Sequence, residues 1–104
     1  MLKLYLNGTV EVPINSYNRY TNIHDGGMTA SANFSFSDIS AYDDLVALGD
    51  TEITDIQVDS DNTTIYHLTN QHAHLTNISE NIYDGNVSIN ASITFGSAKV
   101  EEDM

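Results

Sequence analysis

Basic residues are nearly missing from this chain. Of its 104 residues only Lys3, Arg19 and Lys99 are basic, against fifteen Asp and Glu, for a formal net charge of −12. A surface this negative repels nucleic acid and anionic membrane. Self-repulsion of this size costs folding stability, and solubility alone does not require it, so the excess points to a partner with a cationic surface. Cysteine is absent, which excludes disulfides and thiolate chemistry and leaves the redox compartment unread. Long apolar runs are missing too. No stretch approaches a membrane span, and the start, Met1 to Gly8, is too short and too polar for a signal peptide. The expectation is a soluble, intracellular product with a modest core. Six Asn-x-Ser/Thr triplets, Asn33 and Asn77 among them, follow from a composition rich in Asn, Ser and Thr and are not read as glycosylation sites.

What is present is a hydrophobic period of two. Leu2, Leu4 and Leu6 alternate with polar neighbours, and so do Val10, Val12 and Ile14. A two-residue Asn7-Gly8 turn would set Leu4 opposite Glu11. A three-residue loop, Asn7-Gly8-Thr9, pairs Leu6 with Val10 and Leu4 with Val12, with Gly8 in the left-handed conformation. Met28, Ala30, Ala32, Phe34 and Phe36 share one face of a longer strand. Val87, Ile89, Ala91, Ile93 and Phe95 repeat that pattern, and both strands should be half buried in an antiparallel sheet.

These two strands belong to an internal repeat. Asn22-Ile23-His24-Asp25-Gly26-Gly27-Met28 opens one copy and Asn81-Ile82-Tyr83-Asp84-Gly85-Asn86-Val87 the other, and Ala32 and Phe36 correspond to Ala91 and Phe95. Each copy reads as strand, Asp-Gly turn, strand, a duplicated hairpin rather than a solenoid. The rival reading is that any two hairpins with Asp-Gly turns look alike.

One helix is expected near 39–48. Ser37, Asp38 and Ser40 offer caps, Asp43 and Asp44 suit its positive end, Tyr42, Leu45 and Val46 form its apolar stripe, and Gly49 stops it. Strands follow at about 52–58, 63–69 and 72–79. The fold class is α+β, mostly antiparallel β sheet of about seven or eight strands with one short helix. Residues 1–98 form the domain and 99–104 an acidic tail.

His67, His72 and His74 lie within eight residues. A turn at Asn70-Gln71 would pair Leu68 with Ala73 and His67 with His74. Tyr66, Leu68, Ala73 and Leu75 then face the core, and the three histidines gather on the other side. Cross-strand Cβ atoms about 5 Å apart would let these imidazoles converge on Zn²⁺, with water, Asp25 or His24 as fourth ligand. The competing reading is a polar face that happens to hold histidines. Gln71 is a poor residue for a primed turn, and a slip of one residue scatters the cluster. No carboxylate stands at a catalytic spacing from these histidines, so a structural metal is the more economical use and a metal-dependent hydrolase is disfavoured.

Asp59-Ser60-Asp61-Asn62 resembles the start of an EF-hand loop, but Thr64 stands where the glycine belongs and Asn70 where the closing Glu belongs, so a hairpin turn is the better reading. No phosphate-binding or nucleophile-elbow motif occurs, and the chain is not read as an enzyme. Direct nucleic-acid binding is disfavoured because aromatics lack basic partners. The densest acidic stretch runs from the helix into the next hairpin: Asp43, Asp44, Asp50, Glu52, Asp55, Asp59 and Asp61 are the candidate partner-binding residues, each also readable as a solvated surface group.

With its length, its charge, its cysteine-free strands and the stretch from Tyr66 to His74, the chain resembles the type II-A anti-CRISPR proteins of phages and prophages, inhibitors of Cas9. The resemblance lies in overall character and carries no residue over. It implies an acidic protein in the cytoplasm of the bacterial host, a monomer or small homo-oligomer, that binds Cas9 or another cationic nucleic-acid-binding protein and blocks DNA loading. The segment from Asp25 to Phe36 and the helix after it also look like small virion proteins of such phages, which implies instead a structural component of capsid or tail.

Overall fold

The computed structural model describes residues 1–96, so the expected domain limit at 98 and the acidic tail 99–104 lie outside the described residues. Eight strands and one helix follow in the order β1 (Leu2–Leu6), β2 (Val10–Ile14), β3 (Ser16–His24), β4 (Gly27–Phe36), α1 (Ile39–Leu48), β5 (Ile56–Ser60), β6 (Thr63–Leu68), β7 (Ala73–Tyr83) and β8 (Asn86–Phe95). They form two antiparallel four-stranded sheets, ordered β2-β1-β5-β6 and β3-β4-β8-β7. The fold is therefore the mostly-β class with one short helix that the alternation predicts.

The first hairpin has the expected register, with Leu2, Leu4 and Leu6 opposite Ile14, Val12 and Val10. Asn7 and Gly8 both take positive φ, at 55° and 69°. The β5–β6 turn is a two-residue link at Asp61-Asn62, where both residues have left-handed φ, the geometry that matches strand twist. Inward residues of both sheets, including Leu4, Leu6, Phe34, Phe36, Ile56, Ile89 and Ile93, meet in one core from which water is excluded.

The helix spans the expected residues, with two differences in detail. Asp38 alone caps it, accepting from the Ser40 amide at 3.0 Å and the Ser40 hydroxyl at 2.7 Å, and Asp43 and Asp44 stand beyond the first turn. Its buried residues are Ala41 and Leu45, while Val46 is 54% exposed. The helix touches β2 and β7 and closes one flank of the sandwich.

The hairpin expected between 63–69 and 72–79 does not form. β6 pairs with β5 in one sheet, and β7 pairs with β8 in the other. Thr69 to His72 cross between the sheets. Asn70 alone of this link takes positive φ, and the Gln71 amide bonds the Thr54 carbonyl at 3.0 Å instead of closing a turn. The face assignment survives the change of partner, because alternation fixes sides and not neighbours: Ala73 is buried, and Tyr66, Leu68 and Leu75 pack against the core. β5 likewise begins at Ile56 rather than 52, because the Asn7 side chain holds the preceding loop. Its Oδ1 accepts from the Thr54 amide at 2.8 Å and the Asp55 amide at 3.3 Å, and its Nδ2 donates to the Glu52 carbonyl at 3.0 Å.

The two repeat copies are the two hairpins β3–β4 and β7–β8. β4 and β8 run antiparallel at the centre of their sheet, and Asn33 pairs with Ser92, its own counterpart 59 positions on. A pseudo-two-fold axis thus passes between these residues. Each hairpin overshoots the other: β4 extends past Ala30 to its turn, and β8 extends past Ile89 to its own. The turns differ, since Asp84 and Gly85 are both left-handed whereas at the first turn positive φ falls on Gly26 and Gly27.

Candidate interaction surface

The histidines do not meet. His67 lies opposite Gln57, whose neighbours Ile56 and Val58 are buried, so it points outward from the first sheet. His74 lies opposite Thr94, between buried neighbours Ala73 on its own strand and Phe95 across, so it points outward from the second sheet. The outer faces of the two sheets look in opposite directions, and one ion cannot bridge them. His67 and His72 each have a carboxylate of their own: His67 Nε2 is 3.2 Å from both Asp55 carboxylate oxygens, and His72 Nδ1 is 2.8 Å from Glu52 Oε2. Among the described residues no group of three or more His, Asp or Glu is placed to hold a metal ion.

The seven candidate carboxylates separate by environment. Asp61 accepts from the N-terminal ammonium at 2.6 Å, and that bond holds its carboxyl below the ordinary aspartate value. Asp59 accepts from Gln57 Nε2 at 2.9 Å and Thr64 Oγ1 at 2.7 Å, and these bonds, with a smaller contribution from Lys3, lower its pKa. Asp55 and Glu52 face the histidines named above. Asp43, Asp44 and Asp50 are exposed. The Lys3 ammonium lies 3.1 Å from Glu11 across the β1–β2 pair.

The acidic residues are segregated, and the informative signal in the sequence is where they are absent. The strands of the second sheet contain a single carboxylate, Glu80. Its outer face is hydroxyl and amide: Ser31, Asn33 and Ser35 of β4 lie opposite Thr94, Ser92 and Asn90 of β8, flanked by Asn18 and Tyr20 on β3 and Asn77 and Ser79 on β7. Among the described residues no Asp, Glu, Lys or Arg stands on this face; its titratable imidazoles are His24 and His74.

The inner face of the same sheet outruns its cover. Its strands have 9 to 11 residues, against 5 or 6 in the other sheet, so both hairpin ends project, along a molecule 51 Å in its longest dimension. On one end Ile23 pairs with Met28, 81% and 40% exposed. On the other, the repeat counterparts Ile82 and Val87 pair, with Ile82 76% exposed. Tyr83 beside them is 80% exposed.

Between the edges β3 and β6 lies an open crevice of about 470 Å³ lined by Leu2, Tyr17, Arg19, Val58, Ile65 and Tyr66. Tyr17 and Tyr66 share a hydrogen bond at 3.3 Å, and burial, reinforced by that bond, pushes the Tyr17 hydroxyl well above its ordinary pKa. Arg19 lies 5.7 Å above the Phe95 ring. Among the described residues no helix is long and apolar enough to cross a membrane. No protein-family model matches this chain, and no curated protein shows significant similarity to it.

Proposed function

We propose that this chain is a non-catalytic structural assembly protein, of the kind found among small phage virion components, working through protein–protein contacts made by its second sheet. The observation that carries this reading is the placement of apolar surface. Ile23 and Ile82 occupy equivalent repeat positions at opposite ends of one sheet, and both are largely exposed. A monomer with a single core rarely leaves equivalent apolar pairs uncovered at both ends. The uncharged outer face between them lets another protein approach a chain that otherwise repels its neighbours. Light scattering on a sizing column tests this: the wild type should elute above monomer mass at raised concentration, and an Ile23→Thr, Ile82→Thr double variant should not. A wild type that stays monomeric throughout speaks against the reading.

A second reading keeps the acidic surface at its centre. Asp43, Asp44 and Asp50 are exposed on the helix and the loop after it. An acidic surface of this kind suits docking onto the cationic channel of Cas9 in the bacterial host cytoplasm, with encounter sped by charge. In that case the protein, added before target DNA, blocks cleavage by purified Cas9, and full cleavage at large excess across several orthologues removes the idea.

A further inference from the structure

Sheet edges expose unpaired backbone groups, and proteins usually blunt them. Among the described residues, three of the four sheet edges are blunted. β2 carries Pro13, the fourth of its five residues, which lacks an amide hydrogen. β6 carries a bulge: Val58 pairs with Tyr66 and Asp59 with Thr64, leaving Ile65 without a partner. β7 carries another, since Leu75 pairs with Ile93 and Asn77 with Ser92, which leaves Thr76 out. β3 differs. It makes nine consecutive pairs with β4 without a shift, and it contains neither proline nor carboxylate. In a chain of net charge −12 it is a long, regular, carboxylate-free edge whose one permanently charged residue is Arg19.

We propose that β3 is the edge through which two copies of this chain pair, antiparallel about a two-fold axis, so that two four-stranded sheets become one continuous sheet. The inference rests on the assembly reading above and names its partner. The strand is self-complementary when the axis passes at Tyr20. Arg19 then faces Thr21 of the other copy, Asn18 faces Asn22, and Tyr17 faces Ile23, so no like charges oppose and each exposed Ile23 gains an aromatic neighbour. The crevice beside Tyr17 adjoins this pair and receives part of the apolar contact. The carboxylate-free strand also answers the repulsion problem, because the copies meet where their charge is least negative.

Sedimentation velocity on charge-matched variants tests the assignment. Asn18→Asp with Asn22→Asp places carboxylates opposite each other across the proposed axis. Asn77→Asp with Asn81→Asp adds the same charge on the β7 edge. The β3 variant should weaken association by about tenfold or more, and the β7 variant should associate as the wild type does. A cysteine provides a second readout that does not depend on the carboxylate variant folding. Tyr20→Cys, in a chain with no other cysteine, should form a covalent dimer on mild oxidation, and Ser79→Cys on β7 should not. Association that both charge variants disturb equally, with no Tyr20→Cys crosslink, overturns the β3 assignment and leaves the assembly reading standing. A wild type monomeric up to millimolar concentration overturns both.

Discussion

The Ser92 hydroxyl donates to Asn33 Oδ1 at 2.7 Å, and these two residues occupy the same position in the two halves of an internal repeat. The bond sits where the two hairpins meet, on the pseudo-two-fold axis that relates them. Everything notable about the second sheet follows from that arrangement. The hairpins overshoot one another in opposite directions, the apolar pairs at their tips are equivalent, and hydroxyl and amide side chains line the outer face toward both ends.

That contact has a measurable energy. Ser92→Ala and Asn33→Ala should each cost about 1 kcal/mol, because each leaves a part-buried polar group without its partner. The double variant should cost less than the two losses added together, since the second change removes a group already orphaned. Urea unfolding of the four proteins checks the cycle. Strict additivity would show that the two side chains do not interact.

Asn7 is the residue the sequence least advertises. Read alone, Asn7 opens the three-residue loop Asn7-Gly8-Thr9 of the first hairpin, which it does. Its side chain also holds the loop that leads into β5, through Thr54, Asp55 and Glu52. Asn7→Ala should lower stability by about 1–3 kcal/mol, through four lost hydrogen bonds and a left-handed φ that alanine tolerates poorly. Asn7→Gly keeps the backbone freedom and isolates the side-chain contribution. Thermal melts of both variants compare the two terms, and an unchanged Asn7→Ala melt contradicts this role.

Acid should act in two stages of opposite sign. From neutral pH downward, protonation of ordinary carboxylates relieves the repulsion within a chain of −12, so the melting temperature should rise. Asp38, Asp59 and Asp61 are held below the ordinary aspartate value near 3.8, by Ser40, by Gln57 and Thr64, and by the N-terminal ammonium respectively. A depressed carboxylate stabilises above its unfolded pKa and loses that contribution as pH falls through its folded value. The melting temperature should therefore turn downward below about pH 4. A profile that falls steadily from neutral pH contradicts the first stage.

Zinc should leave the fold unchanged. His67 and His74 stand on opposite outer faces, and His67 and His72 each bond a carboxylate at the surface. One equivalent of zinc added to tag-free protein should not shift its melting temperature, and the His67→Ala, His74→Ala variant should likewise melt the same with and without zinc. A zinc-dependent rise lost in that variant would restore the shared site.

The local signals in the sequence were sufficient for local structure. Period-two alternation located most of the strands, although β5 begins four residues later than expected; Asp38 and Gly49 bounded the helix, and Asn7-Gly8-Thr9 set the first hairpin. Choice of partner was not legible. β6 and β7 are neighbours in sequence with matching inward faces, and nothing in a period of two says whether such strands pair or part into separate sheets. The histidine cluster failed on that point alone. The acidic stretch drew attention to itself, whereas the informative pattern was the run of carboxylate-free strands at 16–24, 27–36 and 86–95, which the topology assembles into one surface.

The sign of the salt dependence tests the central claim most directly. If this chain assembles with copies of itself through its carboxylate-free sheet, the remaining carboxylates oppose association, and screening them strengthens it. Sedimentation of the wild type across a salt series should then show mass and apparent affinity rising with ionic strength. Association that weakens as salt rises, or that requires a cationic partner, contradicts the account and favours docking through the acidic surface.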